Sequence, residues 1–252
     1  MHQGMSAESS APSPAWIGIA RWAGTVAGLA FLGQSVLYLL DSMDILSAEV
    51  AYQQTNRGFQ QDLADYYVAL GERMHHLWWD VAIRDVLGPL GWLALMVLVL
   101  AVHGVTPSGR PLADLAVLFT VVGGSLAGLS DLLYLSRVSL WRRGALQPTP
   151  DLVASGRAGE LVEEVSTYLQ WGGFFVLAAA FVCLALTIRS SPGRPRFLSV
   201  VMLAEAAALL AFVLTAAADA WSLNDLTAVL AGMVLAPLVC IGTGWQLHRL
   251  AG

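Results

Sequence analysis

The fold is decided by residues 112–136, which read LADLAVLFTVVGGSLAGLSDLLYLS. This mostly apolar run exceeds the roughly 20 residues that a helix needs to cross a bilayer, so it predicts a transmembrane helix. Gly124 and Gly128 are one helical turn apart, a spacing typical of close helix packing in membranes. Asp131 follows seven residues after Gly124 and therefore lies on nearly the same face. We predict that its carboxyl group is buried inside a helix bundle.

The rest of the chain has the composition of a membrane protein. Apolar residues make up 57% and charged residues 12% of its 252 positions, whereas soluble domains carry roughly 25% charged residues. Six apolar runs are long enough to span a bilayer. They are residues 16–40, 81–103, 112–136, 167–188, 197–218 and 226–247. We therefore predict an all-α, polytopic six-helix transmembrane bundle that forms a single domain over residues 15–252, after a disordered tail over residues 1–14.

The charged residues are distributed unequally between the two faces of the membrane. Long links over residues 41–80 and 137–166 share one side of the membrane, here called the long-link face. Of the eighteen carboxylates, all except Glu8, Asp114 and Glu205 belong to this face. The opposite, short-link face carries both termini and a denser set of arginines. By the positive-inside rule, this predicts cytoplasmic termini in an inner or plasma membrane.

Some classes of chemistry are excluded by what the sequence lacks. All thirteen basic residues are arginine and there is no lysine, which excludes proteins that bind a substrate or cofactor as a lysine Schiff base. Cys183 and Cys240 lie in separate apolar runs, without the spacing of a redox or zinc motif. The sequence has no nucleotide-binding motif. It therefore assigns no cofactor, and no nucleic-acid partner is expected.

The first long link predicts an amphipathic helix, because its apolar residues recur at steps of three and four over residues 63–74. A ladder of acids and bases follows at i+4 steps: Glu72, His76, Asp80 and Arg84. In one interpretation, His76 and Asp80 bind a divalent metal, since two ligands at this spacing share a helical face. In the other, the ladder is a set of salt bridges on an interfacial helix. A metal site would need a third ligand from Asp131, Glu163 or Glu164.

Two carboxyl groups are predicted at membrane depth. Asp131 is either a functional group or a hydrogen-bonded tie to Tyr134 or to a nearby arginine. Glu205 is the deepest charge, roughly 12 Å into an apolar core of about 30 Å. An unpaired charge there is costly, so the carboxyl is either protonated or paired. Arg21 has a similar predicted depth, and we predict that it pairs with Glu205.

Further polar residues are predicted at the long-link face. Prolines in two spans predict a cavity beneath this face. Glu163 lies one turn before the fourth span and Asp219 directly after the fifth. Pro89 and Pro237 interrupt helix regularity in the second and sixth spans, a common way to line a site at membrane depth. The candidate binding residues are Asp80, Arg84, Asp85, Asp131, Glu163, Glu205 and Asp219.

The segment RPRFLSVVMLAEAAALLAFVL, residues 194–214, followed by a last span that contains proline, resembles bacterial six-helix multipass membrane families of unknown function. The resemblance covers the last quarter of the chain. It implies a fold and carries no catalytic residue.

Three functions fit these features. The first is binding or transport of a small molecule or cation through a polar cavity under the acidic face, and we prefer it because helix-breaking residues and intramembrane charge require only a polar cavity. The second is a membrane-embedded enzyme that acts on a lipid-like substrate with carboxylate or metal chemistry. The third is an accessory subunit of a membrane complex. The expected partners are the lipid bilayer and a small-molecule or cation ligand, and the oligomeric state is left open.

Overall fold

The computed structural model describes residues 14–46, 50–55, 57–106, 111–144, 149–190, 196–218 and 220–250. The predicted disordered tail therefore lies outside the described residues, apart from Pro14. The helices are α1 (Pro14–Ser42), α2 (Phe59–His76), α3 (Trp78–Val105), α4 (Pro111–Gly144), α5 (Thr149–Arg189), α6 (Arg196–Ala217), α7 (Trp221–Val229) and α8 (Ala236–Leu250), with a π-helical segment over Leu230–Leu235 between the last two.

Six of these segments are long and apolar enough to cross a membrane: α1, α3, α4, α5, α6 and the composite of α7, the π-helical segment and α8. This confirms the predicted all-α six-helix bundle and makes the chain a multipass membrane protein. Its interior is close-packed from small and branched residues, and Leu95, Leu98 and Leu177 are among its most buried side chains.

The helices α1 and α8 approach each other through glycines. A Cβ atom at Gly244 would lie 2.6 Å from the carbonyl oxygen of Ala20 and 3.3 Å from Cα of Gly24. Both neighbours are backbone atoms, which cannot turn away as a side chain would. This pair of glycines therefore sets the distance between α1 and α8, as small residues do between membrane helices.

Replacing Gly244 with alanine is expected to lower the thermal unfolding midpoint by about 5 °C. Overpacking of this kind costs about 2 kcal/mol, and each kcal/mol shifts the midpoint of a domain of this size by about 2–4 °C. The measurement is thermal unfolding of the purified protein in detergent. Gly18→Ala is the control, because a Cβ at Gly18 meets nothing within 4 Å. Equal midpoints for the two variants would contradict this packing.

The long-link face carries a helical cap, formed by α2 with the last turns of α4 and the first turns of α5. Its small apolar core includes Tyr67, Leu70, Met74, Val138, Trp141 and Leu152. The predicted amphipathic helix is thus confirmed as α2, whose apolar face packs into the cap. Asp62 at its start accepts hydrogen bonds from the Thr55 backbone (2.8 Å) and hydroxyl. These bonds hold the pKa of Asp62 below its usual range.

Residues 137–166 were predicted to form a long loop, and this prediction is wrong. α4 continues to Gly144 and α5 begins at Thr149, so most of this link is helical. At 41 residues, α5 is about 60 Å long, twice the thickness of an apolar bilayer core of about 30 Å. Both helices extend past the membrane because their outer turns bury apolar side chains against α2.

The last span is irregular just before Pro237, as predicted. The helix widens to π-helical hydrogen bonding over Leu230–Leu235, and Pro237 has no N–H to donate to the preceding turn. Such π segments occur often at functional sites. Pro89, by contrast, lies within α3, which continues from Trp78 to Val105.

Candidate binding cavity

A cavity of about 370 Å³ lies between the helices. All six membrane-crossing segments contribute side chains to it. It extends from Tyr38 and Asp41, at the end of α1 on the long-link face, down to Glu205 in α6. Glu205 is nine residues from the start of α6 at Arg196, about 14 Å along the helix. The cavity therefore reaches from the long-link face past the middle of the membrane.

The structure brings most of the predicted site residues to this one cavity. Its lining includes Arg84, Asp85, Asp131, Glu163 and Glu205. Among the described residues, one predicted binding residue is not part of it. Asp80 lines a small separate pocket, and Asp219 lies outside the described residues.

Asp131 is held by two N–H donors from other helices. Trp92 in α3 donates its indole N–H to Oδ2 at 3.1 Å, and Gln34 in α1 donates its amide to Oδ1 at 3.2 Å. A Cβ at Gly88 would overlap this carboxyl group, lying 2.6 Å from its Cγ. Donation to both oxygens suits a carboxylate, which is acceptor-only when ionised. The groups predicted as structural ties, Tyr134 and the nearby arginines, are not its hydrogen-bond partners.

The glycines of the fourth span position this carboxylate as predicted. A Cβ at Gly124 would meet Met96 Cε at 2.8 Å, and one at Gly128 would meet Trp92 Cδ1 at 3.6 Å. Both glycines therefore face α3, and Asp131 lies on the same face.

The upper part of the cavity contains a network of ion pairs. Arg84 contacts Asp85 at 3.2 Å and Asp41 at 3.4 Å. Asp41 also accepts from Arg73 of the cap at 2.9 Å. The ladder predicted that Arg84 pairs with Asp80, one turn earlier in the same helix. The structure corrects this, because the partners of Arg84 are Asp85 and Asp41. Asp41 links the cap, α1 and α3.

The proposed metal ligands of the ladder belong to different helices. His76 ends α2 and Asp80 lies in α3, while Leu77 between them leaves the helical region at φ −85° and ψ 4°. Across the described residues, no group of three or more histidine, cysteine, aspartate or glutamate side chains is arranged to hold a metal ion.

A second ion pair closes the side of the cavity formed by α4 and α5. Arg137 pairs with Glu163, and its guanidinium stacks on the rings of Tyr134 at 3.6 Å and Trp141 at 4.5 Å. The Tyr134 hydroxyl donates to the same carboxylate at 3.2 Å. Arg137 is only 6% exposed. Both arginines that line the cavity are thus paired.

Glu205 at the bottom of the cavity is 2% exposed, and its Oε2 has no hydrogen-bond partner among the described residues. The predicted pair with Arg21 is wrong. Arg21 is exposed and stacks over the ring of Trp245, 5.4 Å from its centroid. Arg21 therefore faces outward from α1, away from the cavity that Glu205 lines.

Aromatic rings line the middle of the cavity. Phe31 and Trp92 lie 4.4 Å apart by ring centroid, Trp92 and Phe174 5.9 Å, and Phe174 and Phe212 5.3 Å. All four rings line the same cavity as Asp131 and Glu205. Ring faces carry partial negative charge and attract cations.

Carboxyl groups outnumber basic groups in the lining of the cavity. Its lining carries five carboxyl groups and two arginines: Asp41, Asp85, Asp131, Glu163 and Glu205 against Arg84 and Arg137. In the described part of the chain, Asp131 and Glu205 form no ion pair. The arrangement suits a positively charged guest.

Gln34, Asp41 and Trp92 are among the lining residues that were not predicted. Gln34 is the one side-chain amide within the first apolar run, so the sequence alone could have indicated it as a polar group inside the bundle. Asp41 and Trp92 resemble ordinary interfacial and core residues in sequence, and only the fold shows their role.

The fold and the cavity together define a multipass membrane protein with a central, acidic, aromatic-lined cavity. A scan against family models and searches of curated proteins and solved structures find no match to the chain. The resemblance of residues 194–214 to multipass families therefore stays a prediction.

Proposed function

We propose that the protein binds a small organic cation with an apolar or aromatic body in this cavity, as a step in moving it across the membrane. The observation that carries the proposal is the pairing pattern: both lining arginines are paired with other carboxylates, whereas neither Asp131 nor Glu205 has a basic partner among the described residues. Charged groups at membrane depth are costly and mark ligand pathways.

The size and lining of the cavity support an organic guest over a bare metal ion. A volume of about 370 Å³ falls in the range of small-molecule sites, about 300–1,000 Å³. A metal ion would need several oxygen or nitrogen ligands at close range, while the rings of Phe31, Trp92, Phe174 and Phe212 offer apolar and cation–π contacts. An ammonium group that faces Asp131 and Glu205, with its body against these rings, uses both kinds of surface.

The orientation follows from the arginine distribution. The short-link face is denser in arginine, which favours its placement in the cytoplasm of an inner or plasma membrane. The cavity would then open to the opposite compartment.

Benzyltrimethylammonium is the probe for this proposal, because its charge does not depend on pH. Its neutral carbon isostere, neopentylbenzene, has nearly the same shape. We expect the cation to bind the purified protein and to quench tryptophan fluorescence, since Trp92 and Trp171 line the cavity, and the isostere to bind at least about tenfold more weakly, about 1.4 kcal/mol. Equal binding of the two compounds would show that charge is not recognised and would overturn the proposal.

A further inference from the structure

Three polar atoms on α6 and α8 have no hydrogen-bond partner among the described residues: Glu205 Oε2 at the bottom of the cavity, Thr243 Oγ1 and Gln246 Oε1. Thr243 is 2% exposed and lies in α8, one turn before Gln246. Buried polar atoms are rarely left unpaired in proteins, and polar sites with unused partners take up water. The three atoms therefore indicate a polar route through the lower half of the bundle.

The helices that carry these atoms are packed against each other and run in opposite directions. A Cβ at Gly242 of α8 would lie 3.5 Å from Leu198 of α6, and Glu205 lies close enough to Cys240 to interact electrostatically. Side chains lean toward the N-terminus of their own helix. The Cα–Cβ bond of Glu205 therefore tilts toward the short-link face and that of Thr243 toward the long-link face, so the two side chains start toward each other.

The free hydroxyl of Thr243 is unusual for a buried threonine in this chain. Thr120 and Thr187 are both about 1% exposed and donate to the carbonyls of Ala116 and Cys183, four residues earlier, at 2.7 and 2.8 Å. This is the ordinary way for a helical threonine to satisfy its hydroxyl. Thr243 leaves its hydroxyl available for another donor or acceptor.

We propose that Glu205 is a proton-exchange site for the bound cation and that Thr243 and Gln246 connect it to the short-link face. This proposal rests on the proposed function. In the empty cavity, Glu205 is a neutral acid, because an unpaired carboxylate in apolar surroundings is costly. When the cation binds, the O–H bond of Glu205 breaks, the carboxylate pairs with the cation, and the proton passes through the Thr243 hydroxyl and water to the short-link face. Charge balances, and nothing is oxidised or reduced.

The groups around Glu205 support its role as the group that exchanges the proton. Asp85 and Asp131 share its cavity, and Cys240 is a buried thiol on the neighbouring helix α8. No basic side chain among the described residues pairs with Glu205. A bound cation would therefore supply the positive charge that ionises this carboxyl.

The first test requires no ligand and uses the infrared C=O stretch of protonated carboxylic acids in the purified protein. We expect this band to lose intensity in Glu205→Gln. We also expect its deuterium exchange to be at least about tenfold slower in the double variant Thr243→Val with Gln246→Leu, about 1.4 kcal/mol in barrier. Thr187→Val is the control, because its hydroxyl bonds within its own helix. An unchanged band in Glu205→Gln, or unchanged exchange in the double variant, would overturn the proposal.

The second test counts protons released into weakly buffered solution when benzyltrimethylammonium binds. We expect about one proton per bound cation in the unaltered protein and none in Glu205→Gln, as linkage requires for a single exchanging group. Binding without proton release would overturn the exchange site and leave the proposed function intact. A complete lack of binding would overturn the proposed function and the exchange step with it.

Discussion

Replacing Asp131 with asparagine is expected to weaken the binding of benzyltrimethylammonium about 100-fold, or about 2.8 kcal/mol. The variant keeps the size of the side chain and removes its charge. Removing one charge of a desolvated pair typically costs about 2–5 kcal/mol, and Asp131 is only 7% exposed. An asparagine offers one oxygen to the two donors that now hold the carboxylate, Trp92 and Gln34. The measurement is equilibrium binding by tryptophan fluorescence or calorimetry.

Two further variants separate charge from position. Asp80→Asn is the matched control, because Asp80 lies outside the cavity in a separate pocket, and its affinity should equal that of the unaltered protein. Gly88→Ala keeps the charge of Asp131 but displaces its carboxyl group, since the added methyl would overlap it. An intermediate loss of affinity is expected there. Unchanged binding in Asp131→Asn would show that this carboxylate does not contact the cation.

The spans and the burial of Asp131 could be predicted because both depend on local sequence. A span requires only enough apolar residues in succession, and one helix face is fixed by a period of 3.6 residues. Gly124, Gly128 and Asp131 thus share a face in the sequence as in the structure, where it packs against α3. The irregular last span follows in the same way from Pro237.

The partners of these groups could not be predicted, because they depend on how each helix is rotated about its own axis. Arg84 was expected to pair one turn away and instead reaches Asp41, 43 residues earlier in the chain. Depth alone suggested Arg21 as a partner for Glu205, yet Arg21 faces Trp245 at the outside of the bundle. Gln34 reaches Asp131 across 97 residues. Each outcome is set by contacts between helices that hydropathy does not encode.

Replacing Arg137 with methionine is expected to destabilise the protein by about 2 kcal/mol and to lower its unfolding midpoint by about 4–8 °C. Methionine preserves most of the apolar contact with Tyr134 and Trp141 but removes the charge that both rings and Glu163 contact. Breaking a fully buried pair costs about 3–5 kcal/mol. The smaller figure applies because the Glu163 side chain is 38% exposed, so water compensates for part of the loss.

A double-mutant cycle tests whether this loss comes from the ion pair. Glu163→Gln combined with Arg137→Met should destabilise less than the sum of the two single changes, with a coupling of about 1 kcal/mol, as expected for residues in direct contact. Arg143→Met is the matched control, because it removes the same charge from an exposed position in the same helix. Additive effects within the cycle would mean that the contribution of Arg137 comes from its stacking on Tyr134 and Trp141, which belong to α4 as it does, and not from its pairing with Glu163 of α5. In that case Glu163 would carry an uncompensated charge at the cavity wall, and its removal alone should weaken the binding of the cation.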